Sequence, residues 1–277
     1  MAIHGWLGNA STFDRLIPLL SNDLSILAID LPGYGKSSHL PPGCYYHRLS
    51  NVVVLRRIVT HFKWEKLSLL GHALGGSIAF LYSSCYPETV KSLSIINAPM
   101  TPIPTDEGQY FEAGGALIDK FIERDHNEAQ SEKTAFTKEE LLKISAAQFD
   151  FTLPKESIEK LLERDGSCNS DEKCYFTYDR RLQDSRLSGW NNAEILEMAE
   201  ELKTNVLVVM YDESPYYMRK EDFYNTWEIV RKKALSASMH IVQGGRHDLL
   251  DNPEGSSEIL NRHLSKYHLG SKETDSK

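Results

Sequence analysis

Six residues, Gly-His-Ala-Leu-Gly-Gly at positions 71–76, have the spacing of a sharp turn that exposes one side chain. An apolar stretch before them predicts a strand, and the apolar stretch at 75–86 predicts a helix. In such a strand–turn–helix the residues two before and two after the central one must be small, a condition that Gly71 and Gly75 meet. The central position is that of a nucleophile, and it is occupied by Ala73.

The alanine removes the atom that would do the chemistry. A serine at this position attacks a carbonyl after a histidine takes its proton, and alanine has no such oxygen. Ser77 lies one helical turn further on and is expected to point elsewhere. Loss of the serine from a comparable triad lowers the rate by roughly six orders of magnitude. Three alternatives stay open: a natural pseudo-enzyme, an engineered or erroneous alanine, and slow attack by water with a histidine as base.

Elements of a doubly wound sheet surround this turn. Apolar runs predict strands at 25–30, 67–70, 90–96, 205–210 and 239–242. Apolar residues at helical spacing predict helices near 50–62, 75–86, 220–233 and 254–267. Because strands and helices alternate, the expected fold class is α/β, with a mostly parallel sheet covered by helices on both faces.

The middle of the chain has a different composition. Residues 101–203 carry 13 basic and 23 acidic side chains, a net charge of −10 in a chain whose total is −8. Helical spacing is found there at 117–124, 138–149, 156–164 and 192–202. We therefore predict a helical cap over 101–203, inserted into a core formed by 1–100 and 204–268. The polar residues 269–277 are predicted to be a disordered tail.

Three stretches resemble the α/β-hydrolase superfamily, and most closely its serine hydrolase-like proteins. The residues from His4-Gly5-Trp6 to position 14 resemble the family's oxyanion loop, 30–37 resemble the loop after its fourth strand, and 71–76 resemble its elbow. The resemblance implies the α/β-hydrolase fold with a cap, and hydrolysis of small esters as the family activity. It also implies that the family's first strands are absent here, so we expect an N-terminally incomplete chain or an alternative start.

The family's order of triad residues is nucleophile, acid, histidine. The resemblance assigns the histidine to His247, in a loop before the last helix, and makes His4 and His72 structural residues or part of the oxyanion loop. The acid is expected just after the strand at 205–210, where Asp212 is favoured over Glu213.

Other positions for the acid are weaker. Some relatives carry it after the preceding strand, but Asn97 stands there and is not a carboxylate. Asp106 is a third choice. The loop after 210 is short or rearranged compared with the usual family pattern.

Two backbone N–H groups must stabilise the developing negative oxygen. The resemblance places them at Trp6 and Leu74, and neither depends on the side chain at position 73. The expected ligand is a small, largely apolar ester or acyl group entering between core and cap, or in the pseudo-enzyme reading a protein partner. Aromatic residues near that junction fit such a ligand: Tyr110, Phe111, Phe149, Phe151, Trp190 and Tyr216.

Several functions are disfavoured. The net charge of −8 argues against binding to nucleic acid or to an anionic membrane. No apolar run approaches the length of a membrane span. Residues 33–37 resemble the end of a phosphate-binding loop, but the first glycine of that motif is replaced by Asp30. No histidines have metal-ligand spacing, so we expect no metal and no cofactor. The sequence indicates no oligomeric state.

The four cysteines have no paired spacing. Cys44, Cys85, Cys168 and Cys174 include no Cys-x-x-Cys pair. We therefore expect four free thiols, a reducing compartment and a cytoplasmic location.

Overall fold

The computed structural model describes residues 1–98, 109–130, 134–149, 153–184, 190–214, 220–245 and 247–270, with the backbone alone at 109–113, 128–130 and 184. The strands of these residues are β1 (Ala2–Ile3), β2 (Ala28–Ile29), β3 (Leu67–His72), β4 (Val90–Ile96), β5 (Gly166–Cys168), β6 (Cys174–Phe176), β7 (Asn205–Tyr211) and β8 (Ser236–Val242). Six of them form a parallel sheet in the order β2-β1-β3-β4-β7-β8.

Helices connect the strands and cover the sheet. They are α1 (Arg48–His61), α2 (Leu74–Cys85), α3 (Gln109–Gln130), α4 (Lys138–Gln148), α5 (Lys155–Asp165), α6 (Asn192–Glu200), α7 (Lys220–Lys233), α8 (Asp248–Asp251) and α9 (Glu254–Leu264). Among the residues described, no helix is both long enough and apolar enough to span a bilayer.

The sheet is buried on both faces, as its apolar strands require. Along β7, Val206, Val208 and Met210 pack into one apolar cluster, whereas Leu207 and Val209 pack into another on the opposite face. The first cluster contains side chains of α1, α2 and α7, and the second contains side chains of α5, α8 and α9. Each fully buried aliphatic side chain stabilises the fold by about 1.5–3 kcal/mol.

The predicted parallel α/β sheet with helices on both faces is confirmed, with differences at element ends. β4 occupies 90–96 as predicted, and α7 spans 220–233. The strand expected at 25–30 is reduced to Ala28–Ile29, and it lies at the edge of the sheet. β8 begins three residues earlier than predicted, at Ser236, because it pairs with β7 along its whole length.

The segment between β4 and β7 holds the helices α3 to α6, at the positions where helical spacing occurs. It also holds an antiparallel hairpin, β5–β6, which the sequence pattern did not reveal. The hairpin corrects the expectation of four free thiols, because Cys168 and Cys174 face each other across it and form a disulfide. Cys44 and Cys85 are free thiols, as expected.

Some sequence predictions fall outside the described residues. They concern Asp106, Phe151, Tyr216 and the tail from 271 to 277. For Tyr110 and Phe111 the structure gives only the backbone of α3.

Candidate active site

The parallel sheet brings the candidate residues to one edge. Because all six strands run in the same direction, their carboxyl ends lie together, the usual position of ligand sites in such sheets. Trp6 follows β1, Ala73 follows β3, Asp212 follows β7 and His247 lies in the loop after β8. Topology alone therefore gathers residues that are far apart in sequence.

The turn at Ala73 has the backbone expected of a nucleophile elbow. Ala73 has φ 47° and ψ −116°, a combination that a residue with a side chain rarely adopts. Such a conformation costs about 1–3 kcal/mol and persists only where the surroundings enforce it. Here the N–H of Ala73 donates to Ile96 O at 3.0 Å, and the carbonyl of Ala73 accepts from Gly76 N at 2.9 Å within the first turn of α2.

The two flanking glycines are required by close backbone contacts. A Cβ on Gly71 would lie 2.4 Å from Gly75 O, and a Cβ on Gly75 would lie 2.0 Å from Ile3 O. Both distances are far shorter than any contact a carbon atom tolerates. The predicted need for small residues at these positions is confirmed.

The loop after β1 lies against the elbow. A Cβ on Gly5 would be 3.2 Å from Ala73 Cβ, so little more than a methyl group separates the two backbones. The loop turns sharply at Gly5–Gly8, with Gly8 N–H donating to Gly5 O at 3.1 Å and Leu7 at φ 55°. Trp6 lies inside this turn, and Leu74 begins α2, whose first N–H groups lack intrahelical acceptors. Their oxyanion role stays a prediction.

His4 fixes this loop and is structural, as the sequence comparison implied. Its Nε2 accepts from Leu31 N–H at 3.0 Å, so Nδ1 carries the proton and donates to Gly5 O at 2.7 Å. Complete burial lowers the pKa of His4 to about 4, which keeps the ring neutral. His72, the last residue of β3, is also buried.

The loops after β7 and β8 interlock. Asp212 N–H donates to Val242 O at 3.0 Å, and Asp212 Oδ1 accepts from Gly244 N–H at 2.9 Å. Glu213 N–H donates to Gly244 O at 3.1 Å, and Asp212 and Glu213 are both exposed. Of the two candidate acids, Asp212 is therefore the one whose carboxylate contacts the loop that carries His247.

His247 directly precedes α8 and contacts an aromatic residue that follows α4. Its ring packs edge-on against Phe149, with ring centres 5.2 Å apart, so of the predicted junction aromatics Phe149 contacts the candidate histidine. Gly244 shapes the same loop at φ 146°, where a Cβ would approach Asp248 Oδ2 to 2.1 Å. A glycine three residues before the histidine is the sequence signal for this sharp turn.

Asn97 connects the end of β4 to β7 and to the loop after β7. It follows β4 in the left-handed conformation, with φ 51°, which asparagine tolerates better than most residues. Its Nδ2 donates to Ser214 Oγ at 2.6 Å, and its N–H donates to Val209 O at 2.8 Å. The residue dismissed as an acid thus has a structural function beside Asp212.

This arrangement agrees with what sequence and structure comparisons find. A family model for the alpha/beta hydrolase fold matches residues 1–215. The chain belongs to the α/β-hydrolase family.

Two relatives and one solved structure illustrate this α/β-hydrolase's similarities. A probable serine hydrolase of Drosophila melanogaster is 32% identical over 270 residues, covering 96% of this chain and 80% of the relative. A serine hydrolase-like protein of Danio rerio is 29% identical over 272 residues, covering 94% and 79%. The thioesterase domain from the curacin biosynthetic pathway superposes with a TM-score of 0.74 at 20% identity, covering 94% and 89%, a likeness of fold.

The α/β-hydrolase core contacts the segment between β4 and β7 through buried charges that the sequence pattern did not single out. Asp165, at the end of α5, accepts from Asn9 Nδ2 at 2.7 Å and from Gly35 N–H at 3.0 Å. Burial raises the pKa of Asp165 to about 7. Asn9 belongs to the same loop as Trp6, so this carboxyl group reaches the edge of the site.

A second charged contact lies beside the first. Arg164 donates from Nη2 to Asp30 Oδ2 at 2.7 Å, in the loop after β2. Burial acts to raise the pKa of Asp30, but the hydrogen bonds from Arg164, Lys36 N–H and Ala10 N–H hold it below its ordinary value. A short apolar strand ending in Asp30 gave no sign of this partner, 134 residues away.

Within the described part of the chain, no three His, Cys, Asp or Glu side chains are grouped so that they could hold a metal ion.

Proposed function

We propose that this α/β-hydrolase has the site of a hydrolase of small, largely apolar esters, and that with alanine at position 73 it binds such an ester, or an acyl group, without forming an acyl-enzyme. The observation that carries the proposal is the elbow itself. Ala73 keeps the unfavourable φ 47° and ψ −116° although its side chain supplies no nucleophile. The conformation expected of a nucleophile elbow, kept without a nucleophile, supports a site that binds the ligand but does not form an acyl-enzyme.

The proposed roles follow from the position of each residue. With a serine at 73, the hydroxyl oxygen would attack the ester carbonyl while His247 takes the proton. Asp212 would orient the imidazole, a role supported by its hydrogen bond to Gly244 in the histidine loop. The N–H groups of Trp6 and Leu74 would donate to the oxyanion, supported by the approach of Gly5 to Ala73.

The alternative function is that of a pseudo-enzyme that binds a protein partner in place of an acyl ligand. The contact of Phe149 with His247 favours the small ligand, because small-molecule sites are lined mainly by apolar and aromatic side chains. The core is proposed to comprise 1–100 and 204–268, with 101–203 as its cap. This division is supported by the absence of main-sheet strands between β4 and β7 in the residues described.

A cytoplasmic location has lost part of its support. The expectation rested on four free thiols, and the Cys168–Cys174 disulfide is a bond that reducing compartments disfavour. The proposed site does not depend on the compartment.

A fluorophosphonate probe tests the proposal, because it labels only an activated serine. We expect no labelling of the chain with Ala73 and labelling of Ala73→Ser. Ala73→Ser combined with His247→Ala is the matched control and is expected to lose the label. Labelling of the unaltered chain would refute the inactive site, and a folded Ala73→Ser chain that stays unlabelled would refute the assigned triad.

A further inference from the structure

The side chain of Trp6 is held from outside the core. Its indole Nε1 donates to Leu182 O at 3.0 Å, across 176 residues of sequence. Leu182 lies in the short 3₁₀ helix Arg180–Asp184, between the β5–β6 hairpin and α6. The residue proposed to donate its backbone N–H to the oxyanion therefore has its ring bound to the segment between β4 and β7.

That segment is anchored firmly. Asp179 N–H donates to Gly33 O at 2.7 Å, and Leu182 N–H donates to Asp179 O at 3.0 Å. The Leu182 side chain is buried, with 2% of its surface exposed. The carbonyl that receives the Trp6 indole is thus part of a hydrogen-bonded turn docked on the core.

Arg181 supplies most of the anchoring contacts. Its guanidinium donates to Asp179 Oδ2 at 2.7 Å and to Asp125 Oδ1 of α3 at 2.7 Å. It also donates to the carbonyls of Leu40 at 2.6 Å and Pro41 at 3.0 Å. One cation therefore joins α3, the 3₁₀ helix and the loop after β2.

The contacts of Arg181 need a planar fork of donors. The side chain of Arg181 is only 4% exposed, and that of Asp179 only 1%. Tyr46 OH completes the cluster by donating to Asp179 Oδ2 at 2.7 Å. A lysine would keep the charge, but its three donors on a single atom cannot reach carboxylates and carbonyls on several sides.

We propose that Arg181 is a positioning residue for the oxyanion loop, acting through the hydrogen bond that the Trp6 indole donates to Leu182 O. By fixing residues 179–182, Arg181 sets the ring of Trp6 and with it the peptide N–H of Trp6 beside Ala73. An effect of this coupling on catalysis rests on the proposed function. The structural coupling between Arg181 and the loop at Trp6 does not.

Amide hydrogen exchange in the unaltered Ala73 background tests the coupling without any activity. Gly8 N–H, which donates to Gly5 O, reports on the turn around Trp6. We expect Arg181→Lys and Trp6→Phe each to raise exchange at residues 6–8 by about tenfold. The double variant is expected to exchange no faster than either single one, because both remove the same connection.

Arg164→Lys is the matched control. It weakens another buried contact from outside the core, but its partner Asp30 accepts from Ala10 N–H and Lys36 N–H. Faster exchange is therefore expected at those two amides and not at residues 6–8. If Arg181→Lys does not fold, Asp125→Asn removes one charged partner of Arg181 and is expected to affect residues 6–8 in the same direction.

Kinetics of the Ala73→Ser chain then distinguish a residue that positions the oxyanion loop from one that only stabilises the fold. Adding Arg181→Lys is expected to lower kcat about tenfold with KM little changed, because the oxyanion forms only in the transition state. Unchanged exchange at residues 6–8 in folded Arg181→Lys, or additive effects in the double variant, would overturn the proposal. Coupled exchange together with an unlabelled Ala73→Ser chain would leave the coupling intact and refute the proposed function.

Discussion

The proposed core and the proposed cap are stabilised by different kinds of contact. In the core, backbone meets backbone through glycines, as where Gly75 lies under Ile3, and apolar strands are buried on both faces. The segment between β4 and β7, which is the proposed cap, contacts the rest of the chain through buried titratable and charged side chains, including Asp165 and Arg181, and carries a disulfide in its hairpin. Close contacts between main-chain atoms tolerate almost no change, whereas charged contacts respond to pH and to the loss of a partner.

The largest expected effect is in the core. Gly75→Ala places a Cβ 2.0 Å from Ile3 O, a main-chain atom of β1, which pairs with β2 on one side and β3 on the other. Because neither backbone can move without breaking strand pairing, we expect a loss of more than about 4 kcal/mol in the free energy of unfolding, or failure to fold. Urea denaturation measures the change.

Gly255→Ala on α9 is the control, since no atom lies within 4 Å of a Cβ there. It is expected to change stability by no more than about 1 kcal/mol. If Gly75→Ala lowered the free energy of unfolding no more than Gly255→Ala does, the claim that close main-chain contacts in the proposed core tolerate almost no change would be wrong.

An intermediate effect is expected at the junction, where Asp165 makes stability depend on pH. Burial raises the pKa of Asp165 from an ordinary value of 3.8 to about 7. Between these two values the folded chain binds more protons than the unfolded chain, so the contribution of Asp165 to stability is full below pH 3.8 and is lost as pH rises through 7. The full change corresponds to roughly 4 kcal/mol.

Asp165→Asn removes this titration. The variant also exchanges an acceptor for a donor toward Asn9 or Gly35, which destabilises it at every pH. Relative to the parent, Asp165→Asn should therefore be least stable near pH 4 and should recover up to roughly 4 kcal/mol by pH 8. Glu163→Gln, an exposed carboxylate on the same helix, is the control. A pH-independent difference between Asp165→Asn and the parent would contradict the assigned titration.

The smallest expected effect is that of the disulfide. Cys168 and Cys174 are separated by 6 positions, so the bond closes a short loop. Loop-closure entropy gives about 2 kcal/mol for such a bond. Reduction, or Cys174→Ser, is expected to raise exchange in residues 166–176 and to leave the amides of β7 unchanged. Cys44→Ser with Cys85→Ser should change neither, and protection lost across the main sheet would show that the cap and the core unfold together.

Local patterns anticipated the features that depend on neighbours in sequence. The sheet strand β4, the helix α7 and the small residues at 71 and 75 follow from apolar periodicity and from the space available in one turn. The β5–β6 hairpin was missed because its strands have three residues each, too few to show an alternating pattern.

In the candidate site too, some features were predicted from the sequence and others needed the tertiary structure. Motif spacing placed Ala73 at the elbow, the family resemblance assigned His247 to the loop before the last helix, and the parallel sheet brings both loops to one edge. The preference for Asp212 over Glu213 gained physical support only from the hydrogen bond to Gly244, 32 residues away. Nothing in either loop by itself distinguishes two adjacent carboxylates.

The sequence by itself determined the α/β alternation, the tight turn and the absence of a nucleophilic oxygen at position 73. Each of these features depends only on residues within a few positions of one another. Only the tertiary structure decided that Asn9 meets Asp165 across 156 residues and that the indole of Trp6 is held by Leu182. Polar and charged side chains carry no periodic signal that identifies their partner. Their pairing, and the raised pKa of Asp165, exist only once packing has removed water from both groups.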